Sequence, residues 1–194
     1  MDSPILITGS AGLVGTALAA MLRSRGFPVR GLDLRDSTST GHGDVRDPEA
    51  VRRAVSGCAG VVHLAAVSRV IWGEQDPVAC RSTNIDGTRT VVDAAHEAPG
   101  RPWLIFASSR EVYGQPLSLP AGEDSPLAPV NVYGRTKEAG ERMIAEARSH
   151  GLRAAVVRLS NVYGSLVDYP DRVVPAFARA AGSFSGGRRP CSIA

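Results

Sequence analysis

Ile5-Leu6-Ile7-Thr8-Gly9-Ser10-Ala11-Gly12-Leu13-Val14-Gly15 decides the fold. A short apolar run leads into three glycines spaced three and three, and a helix-like stretch over residues 13–25 follows without a break. Glycines at such a turn let the backbone approach a ligand closely, while a helix start offers unpaired N–H groups and the positive end of its dipole. The spacing departs from G-x-G-x-x-G but supplies the same physics, a cradle for a pyrophosphate. Asp33 ends the next apolar run, 18 residues past Gly15. A carboxylate there accepts from both hydroxyls of an adenosine ribose and repels a 2′-phosphate, which predicts NAD as the cofactor. Arg35 is the one nearby feature that points to NADP instead.

Working outward, apolar runs recur at 29–34, 60–64, 103–107 and 154–159, each followed by a loop. Helical stretches are predicted at 48–56, 77–97 and 132–149, with Pro48 and Pro77 at starts where a missing N–H does no harm. This alternation predicts an α/β chain, a Rossmann-like doubly wound parallel sheet buried on both faces. The Pro-rich segment 115–129 reads as a functional loop over the sheet's carboxyl edge.

Composition narrows the function classes. At 43% apolar and 21% charged residues the chain has enough to bury a core, so disorder is not expected. A net charge of +3, with basic residues scattered singly or in pairs, argues against a nucleic-acid partner. Cys58, Cys80 and Cys191 lack metal-ligand spacing, so no metal site is predicted and a reducing compartment is. Neither a signal-peptide pattern nor a membrane-length apolar run occurs, so the expected location is cytoplasmic, without membrane association.

Lys137 is the only lysine beside 21 arginines, and it lies four residues after Tyr133. At the start of the helix 132–149 that spacing puts phenol and ammonium on one face. A nearby cation favours phenolate and makes Tyr133 a usable proton acceptor. Ser108 and Ser109 follow the run 103–107, where a hydroxyl can orient a substrate. Asp44 has two readings, a partner for the adenine amino group or a helix cap ahead of Pro48.

Together these motifs resemble the extended short-chain dehydrogenase/reductases, the NAD-dependent epimerase/dehydratase family acting on nucleotide sugars. The resemblance rests on Thr8–Gly15, Gly43–Asp47, His63-Leu64-Ala65-Ala66, Asn84-Ile85-Asp86-Gly87-Thr88, the run from Ala107 to Gly114, Tyr133 with Lys137, and Arg158-Leu159-Ser160-Asn161-Val162-Tyr163-Gly164. It implies cofactor contacts from Gly9, Ala11, Gly12, Leu13, Val14, Gly15, Asp33, Asp44, Val45, Leu64, Ala65, Ala66, Asn84, Tyr133 and Lys137. Ser109, Tyr133, Lys137 and Glu111 are the implied catalytic residues, and Ser68, Ser109, Arg110 and Asn161 the implied contacts to a UDP- or dTDP-sugar. Homodimerisation through helices 77–97 and 132–149 is implied as well.

The activity expected first is 4-epimerisation, by transient oxidation at the sugar's C4 and return of the hydride. Glu111 keeps the base that dehydratases and decarboxylases of the family use, but Arg110 stands where dehydratases have an acid. A guanidinium cannot give a proton to a leaving hydroxyl. Decarboxylation or dehydration is therefore the alternative. The resemblance stops near Ala181, where family members continue into a smaller substrate domain. Residues 1–181 are read as an NAD-binding Rossmann domain carrying the catalytic residues, and 182–194 as an irregular tail, the substrate subdomain being truncated. A remnant that binds NAD without sugar chemistry stays open on this reading, as does a dehydrogenase that gives up NADH.

Overall fold

The computed structural model describes residues 3–38, 41–164, 168–169 and 171–184. Residues 1–160 form one unit and 161–194 a second. In the first, β1 (Ile5–Thr8), β2 (Val29–Leu32), β3 (Gly60–His63), β4 (Trp103–Ser109) and β5 (Ala154–Leu159) form a parallel sheet of order β2-β1-β3-β4-β5. β1 and β3 are buried along their whole length, as strands covered on both faces must be.

Each crossover carries a helix. α1 (Leu13–Ser24) packs Leu18, Ala19 and Leu22 against Ile5, Ile7 and Val62 on one face. α2 (Pro48–Val55), α5 (Gly87–Glu97) and α6 (Val132–Ser149) cover the other, where Val51, Val55, Val91 and Ile144 close over Leu6, Val61, Leu104 and Phe106. Between β3 and α5 run α3 (Val70–Gln75), α4 (Pro77–Arg81) and a single π-turn at Ser82–Asp86. Gly140 lets α6 lie directly on Phe106: a Cβ there would stand 2.4 Å from the ring. Since β1 pairs with β2 on one side and β3 on the other, consecutive connections leave it in opposite directions. The crevice at their carboxyl ends is the topological switch point where such sheets bind ligands.

The structure departs from the sequence reading at four places. The helix expected over 77–97 runs from Pro77 to Glu97 without a break, but it widens into a π-turn at Ser82–Asp86, where Asn84 turns its amide to the Val67 backbone. β2 ends at Leu32, and Asp33 keeps only a single parallel bridge to His42. β4 continues through Ser109, held by pairing of Ser108 and Ser109 with Arg158 and Leu159. In the second unit α7 (Val173–Phe184) takes in residues 182–184, which the sequence reading put in the tail; the rest of that tail and Cys191 lie outside the described residues.

Met143, Ile144 and Ala147 are buried within the chain's own core, so the apolar area offered for pairing on helix 132–149 is already used. Cys58 and Cys80 are free and buried, with burial pushing both thiols up. Among the described residues no helix is long and apolar enough to cross a membrane, and no group of three or more His, Cys, Asp or Glu could hold a metal ion.

Candidate functional site

The crevice is built first from the glycine turn. Gly9 has φ +71°, a left-handed conformation, and a Cβ there would stand 2.8 Å from the Ala65 nitrogen across the switch point. A Cβ on Gly15 would stand 2.3 Å from the Gly9 carbonyl oxygen. The loop thus fits against β3 only because these side chains are missing. Gly12 caps α1 and offers no side-chain acceptor to the first-turn amides. These are the donors an anion would take.

Asp33 is buried beside them. Its Oδ2 accepts from the Ala11 N–H at 3.0 Å, and its Oδ1 from the Arg35 N–H at 2.8 Å. The Arg35 Nε also reaches Oδ1 at 3.4 Å, so Oδ2 is the oxygen that keeps a further lone pair for a ribose hydroxyl. The glycine cradle and this carboxylate fit a dinucleotide with a free 2′-hydroxyl. Gly15→Ala is expected to weaken NAD binding at least ~10-fold, because the new methyl must push the Gly9 carbonyl out of the turn; titration calorimetry checks it.

Asp44 and Val45 have partners within the protein, and one reading of Asp44 is corrected. The cap of α2 is Asp47, accepting from Glu49 N–H at 2.9 Å, not Asp44. Asp44 instead takes Arg46 in a fork of 2.6 to 3.1 Å contacts, which holds its carboxyl below the usual range. Val45 turns its side chain into the core against Gly87 rather than toward the crevice.

Leu64, Ala65 and Ala66 line the exit of β3, the first two fixed by hydrogen bonds of 3.2 Å from their N–H groups to the Thr8 carbonyl and hydroxyl. Asn84 is placed behind this wall. Its Oδ1 accepts from Val67 N–H (2.8 Å), and its Nδ2 donates to Val67 O (3.1 Å) and Thr136 Oγ1 (3.0 Å). With these bonds inside the protein, Asn84 ties the wall after β3 to α6.

On the opposite wall Asn131 caps α6, accepting from Gly134 N–H at 2.7 Å. The next turns bring Tyr133 and Lys137 inward, both buried. Lys137 Nζ donates to the Ala107 carbonyl at 2.8 Å and stands 4.9 Å from the Phe106 ring centroid and 5.8 Å from that of Tyr133. Burial lowers its pKa to about 8. Ser109 Oγ accepts from Glu111 N–H at 3.2 Å, which leaves its hydrogen to donate. Ser108 is unavailable: its hydroxyl donates to Glu141, whose carboxylate pairs with Arg158 at 2.8 Å.

Glu111 sits on the turn after β4, its Oε2 taking Asn131 Nδ2 at 2.8 Å and its Oε1 lying 3.4 Å from Arg110 Nη2. The start of α6 packs directly on this turn, since a Cβ on Gly134 would meet the Glu111 carbonyl at 2.7 Å. Ser109, Glu111, Tyr133 and Lys137 are thereby gathered on neighbouring elements, with Arg110 exposed beside them. Ser68 is exposed on the loop after β3. The segment 115–129 is tied down by Arg158 Nη1 donating to the Glu123 carbonyl at 2.7 Å.

A family model described as "NAD dependent epimerase/dehydratase family" matches residues 5–193. The chain belongs to this family. It is 35% identical over 181 residues to a UDP-glucose 4-epimerase of Streptomyces lividans, covering 85% of this chain and 54% of that protein. It is 34% identical over 200 residues to a dTDP-glucose 4,6-dehydratase of Streptomyces griseus, covering 91% and 59%. A short-chain dehydrogenase/reductase superfamily protein from Agrobacterium tumefaciens, solved with bound NAD, superposes with a TM-score of 0.78 at 35% identity over 94% of this chain and 58% of that one. The chain spans about half the length of the curated relatives it matches.

This epimerase/dehydratase chain shows several site residues that sequence reasoning did not single out: Thr8, Thr88, Asn131, Thr136 and Glu141. Asn131 was legible as a cap three residues before Gly134. The others carried no local signal, because their partners are distant in sequence. Asn161, read as a sugar contact, is exposed at the start of the second unit.

Proposed function

We propose that this chain is the NAD-binding and catalytic part of a nucleotide-sugar 4-epimerase acting on a UDP- or dTDP-sugar. The observation that carries the reading is the arrangement around Ser109, Arg110 and Glu111 facing the buried Tyr133–Lys137 pair. Tyr133 as phenolate accepts the proton of the C4 hydroxyl, favoured by the Lys137 ammonium one turn on. Ser109, with its hydrogen free to donate, orients the same oxygen. NAD, when bound on the glycine cradle, would take the hydride and give it back. The ketosugar then turns between the two transfers, and its C4 configuration inverts with no net redox change.

Arg110 argues against simple dehydration. Its guanidinium leans on Glu111 and has no proton to give a leaving hydroxyl. Kinship with the S. griseus dehydratase and the presence of Glu111 make elimination the second reading. A pair of copies would meet through the outer sides of α5 and α6, where Arg89, Asp93, Glu97, Glu146 and His150 surround a shallow cleft of mixed charge.

The purified chain incubated with NAD and UDP-glucose or dTDP-glucose, followed by proton NMR and NADH absorbance, separates the possibilities. Interconversion of gluco and galacto forms without NADH build-up supports the proposal. A 4-keto-6-deoxy product means dehydration, and accumulating NADH a dehydrogenase. Tight NAD binding without any turnover would overturn catalysis by this chain and leave a binding module.

A further inference from the structure

Five buried polar residues, Thr8, His63, Thr88, Asn84 and Thr136, are linked in series behind the crevice, by side-chain hydrogen bonds except at Asn84, whose backbone carbonyl takes Thr88 and whose side-chain amide goes on to Thr136. None is more than 2% exposed. Their directions follow from the groups that can act in only one sense. Ala65 N–H donates to Thr8 Oγ1 at 3.2 Å, and the same oxygen lies 2.7 Å from His63 Nδ1. The Thr88 hydroxyl donates to the Asn84 carbonyl at 2.6 Å and therefore accepts from His63 Nε2 at 3.0 Å. Burial keeps the imidazole neutral, so with its hydrogen on Nε2 its Nδ1 accepts from the Thr8 hydroxyl. Across the π-turn Asn84 Nδ2 donates to Thr136 Oγ1 at 3.0 Å, and Thr136 donates to the Tyr133 carbonyl at 2.7 Å.

The two ends of this run are the two walls of the site. Ala65 abuts the Gly9 turn, and the Tyr133 carbonyl belongs to the first turn of α6. His63 is the one member that reaches from β3 to both β1 and α5, accepting at one edge of a rigid ring and donating at the other. A π-turn sits where the run crosses from α5 to α6, and such turns are frequent where a helix must aim a side chain at a site. Core stability alone does not call for this arrangement, since matched apolar side chains fill such space as well. A fully satisfied polar run does fix one geometry.

We propose that His63 is a positioning residue that holds the cofactor crevice between β1 and β3 in register with the Tyr133 turn of α6. It acts through Thr8 and Ala65 on one side and through Thr88, Asn84 and Thr136 on the other. The part of the proposal that concerns Tyr133 rests on its reading as the proton acceptor; the part that concerns NAD does not.

Thr88→Val severs the run without opening a cavity, and Thr88→Ser restores it. Two quantities are read on the purified chain: the NAD dissociation constant by calorimetry, and the ionisation midpoint of Tyr133 with NAD bound. The midpoint comes from ultraviolet titration against the same protein carrying Tyr133→Phe. Thr88→Val is expected to weaken NAD binding about five-fold or more and to raise the Tyr133 midpoint by about half a pH unit or more, with Thr88→Ser recovering both. His63→Gln, which keeps a donor toward Thr88 but loses the acceptor for Thr8, is expected to act in the same direction.

Thr88→Val indistinguishable from Thr88→Ser in both readouts would overturn the proposal. So would equal shifts from Val51→Ala, a core truncation outside the run, and so would failure of both Thr88→Val and His63→Gln to fold, which would mark a structural role only. A wild-type Tyr133 midpoint that stays at the ordinary tyrosine value would sink the proton-acceptor reading instead, and the NAD constants would then decide this proposal alone.

Discussion

Lys137→Met is expected to reduce turnover of a nucleotide sugar by at least ~10³ and yet to stabilise the cofactor-free chain at pH 7 by about 2 kcal/mol. The ammonium lies buried against Ala107 O and the Phe106 ring, and desolvation lowers its pKa from 10.5 to about 8. Folding therefore works against a charge that the unfolded chain holds freely in water. The shift corresponds to roughly 3 kcal/mol, from which about 1 is taken back because methionine leaves the Ala107 carbonyl without its donor.

The pH dependence gives this prediction its signature. Between about 8 and 10.5 the unfolded chain binds a proton that the folded chain has released, so wild-type stability rises with pH across that window. It is diminished as pH falls through the folded pKa. Urea denaturation of both proteins at neutral pH and near the top of the window should show the gap closing. A variant less stable than wild type at pH 7 would mean that the ammonium's contacts outweigh its desolvation, and the account of Lys137 as a strained catalytic cation would fail.

Acid is expected to destabilise the fold through His63 by roughly 5 kcal/mol. The ring is 1% exposed and its pKa is lowered from 6.5 to about 3, by burial first and then by the Lys137 charge. In the folded chain both nitrogens already have partners that require the neutral form, Thr8 donating to Nδ1 and Thr88 accepting from Nε2. Protonation would make the Thr8 hydroxyl give up its donation to Nδ1 and would bury a charge beside Lys137. The stability is fully present above about 6.5 and is lost as pH falls toward 3, at roughly 1.4 kcal/mol per pH unit.

Carboxylates titrate in the same range, so the comparison must be with His63→Gln, which removes this proton alone. The slope of unfolding free energy against pH between about 4 and 6 should be shallower in the variant by one proton. Parallel slopes would show that His63 is charged in the folded chain and that the assigned tautomer is wrong.

Both predictions concern groups whose residue types were visible from the start but whose states were not. Lys137 stood out as a single lysine four residues from a tyrosine, and helical spacing alone placed the pair on one face. Its lowered pKa depends on Phe106 and Ala107, which a strand 30 residues earlier brings beneath it. Asn84 shows the same dependence. Its motif suggested a cofactor contact, and the fold joins its amide to Val67 and Thr136. Ser108 and Ser109 are neighbours in sequence with equal chemistry; only the pleat and the packing of α6 send one hydroxyl to Glu141 and leave the other on the turn with Glu111.

The sequence by itself determined the parallel sheet, the strand–turn–helix with its glycine cradle, the carboxylate of Asp33 beside it and the tyrosine–lysine pair. Each of these is written in spacing along a few consecutive turns or strands, where local geometry is enough. Tertiary structure alone decided which polar groups are free to act and which are held. The bonds that settle this join residues 52 and 55 apart, Asn84 with Thr136 and Thr8 with His63, and no periodicity along the chain encodes contacts across a sheet.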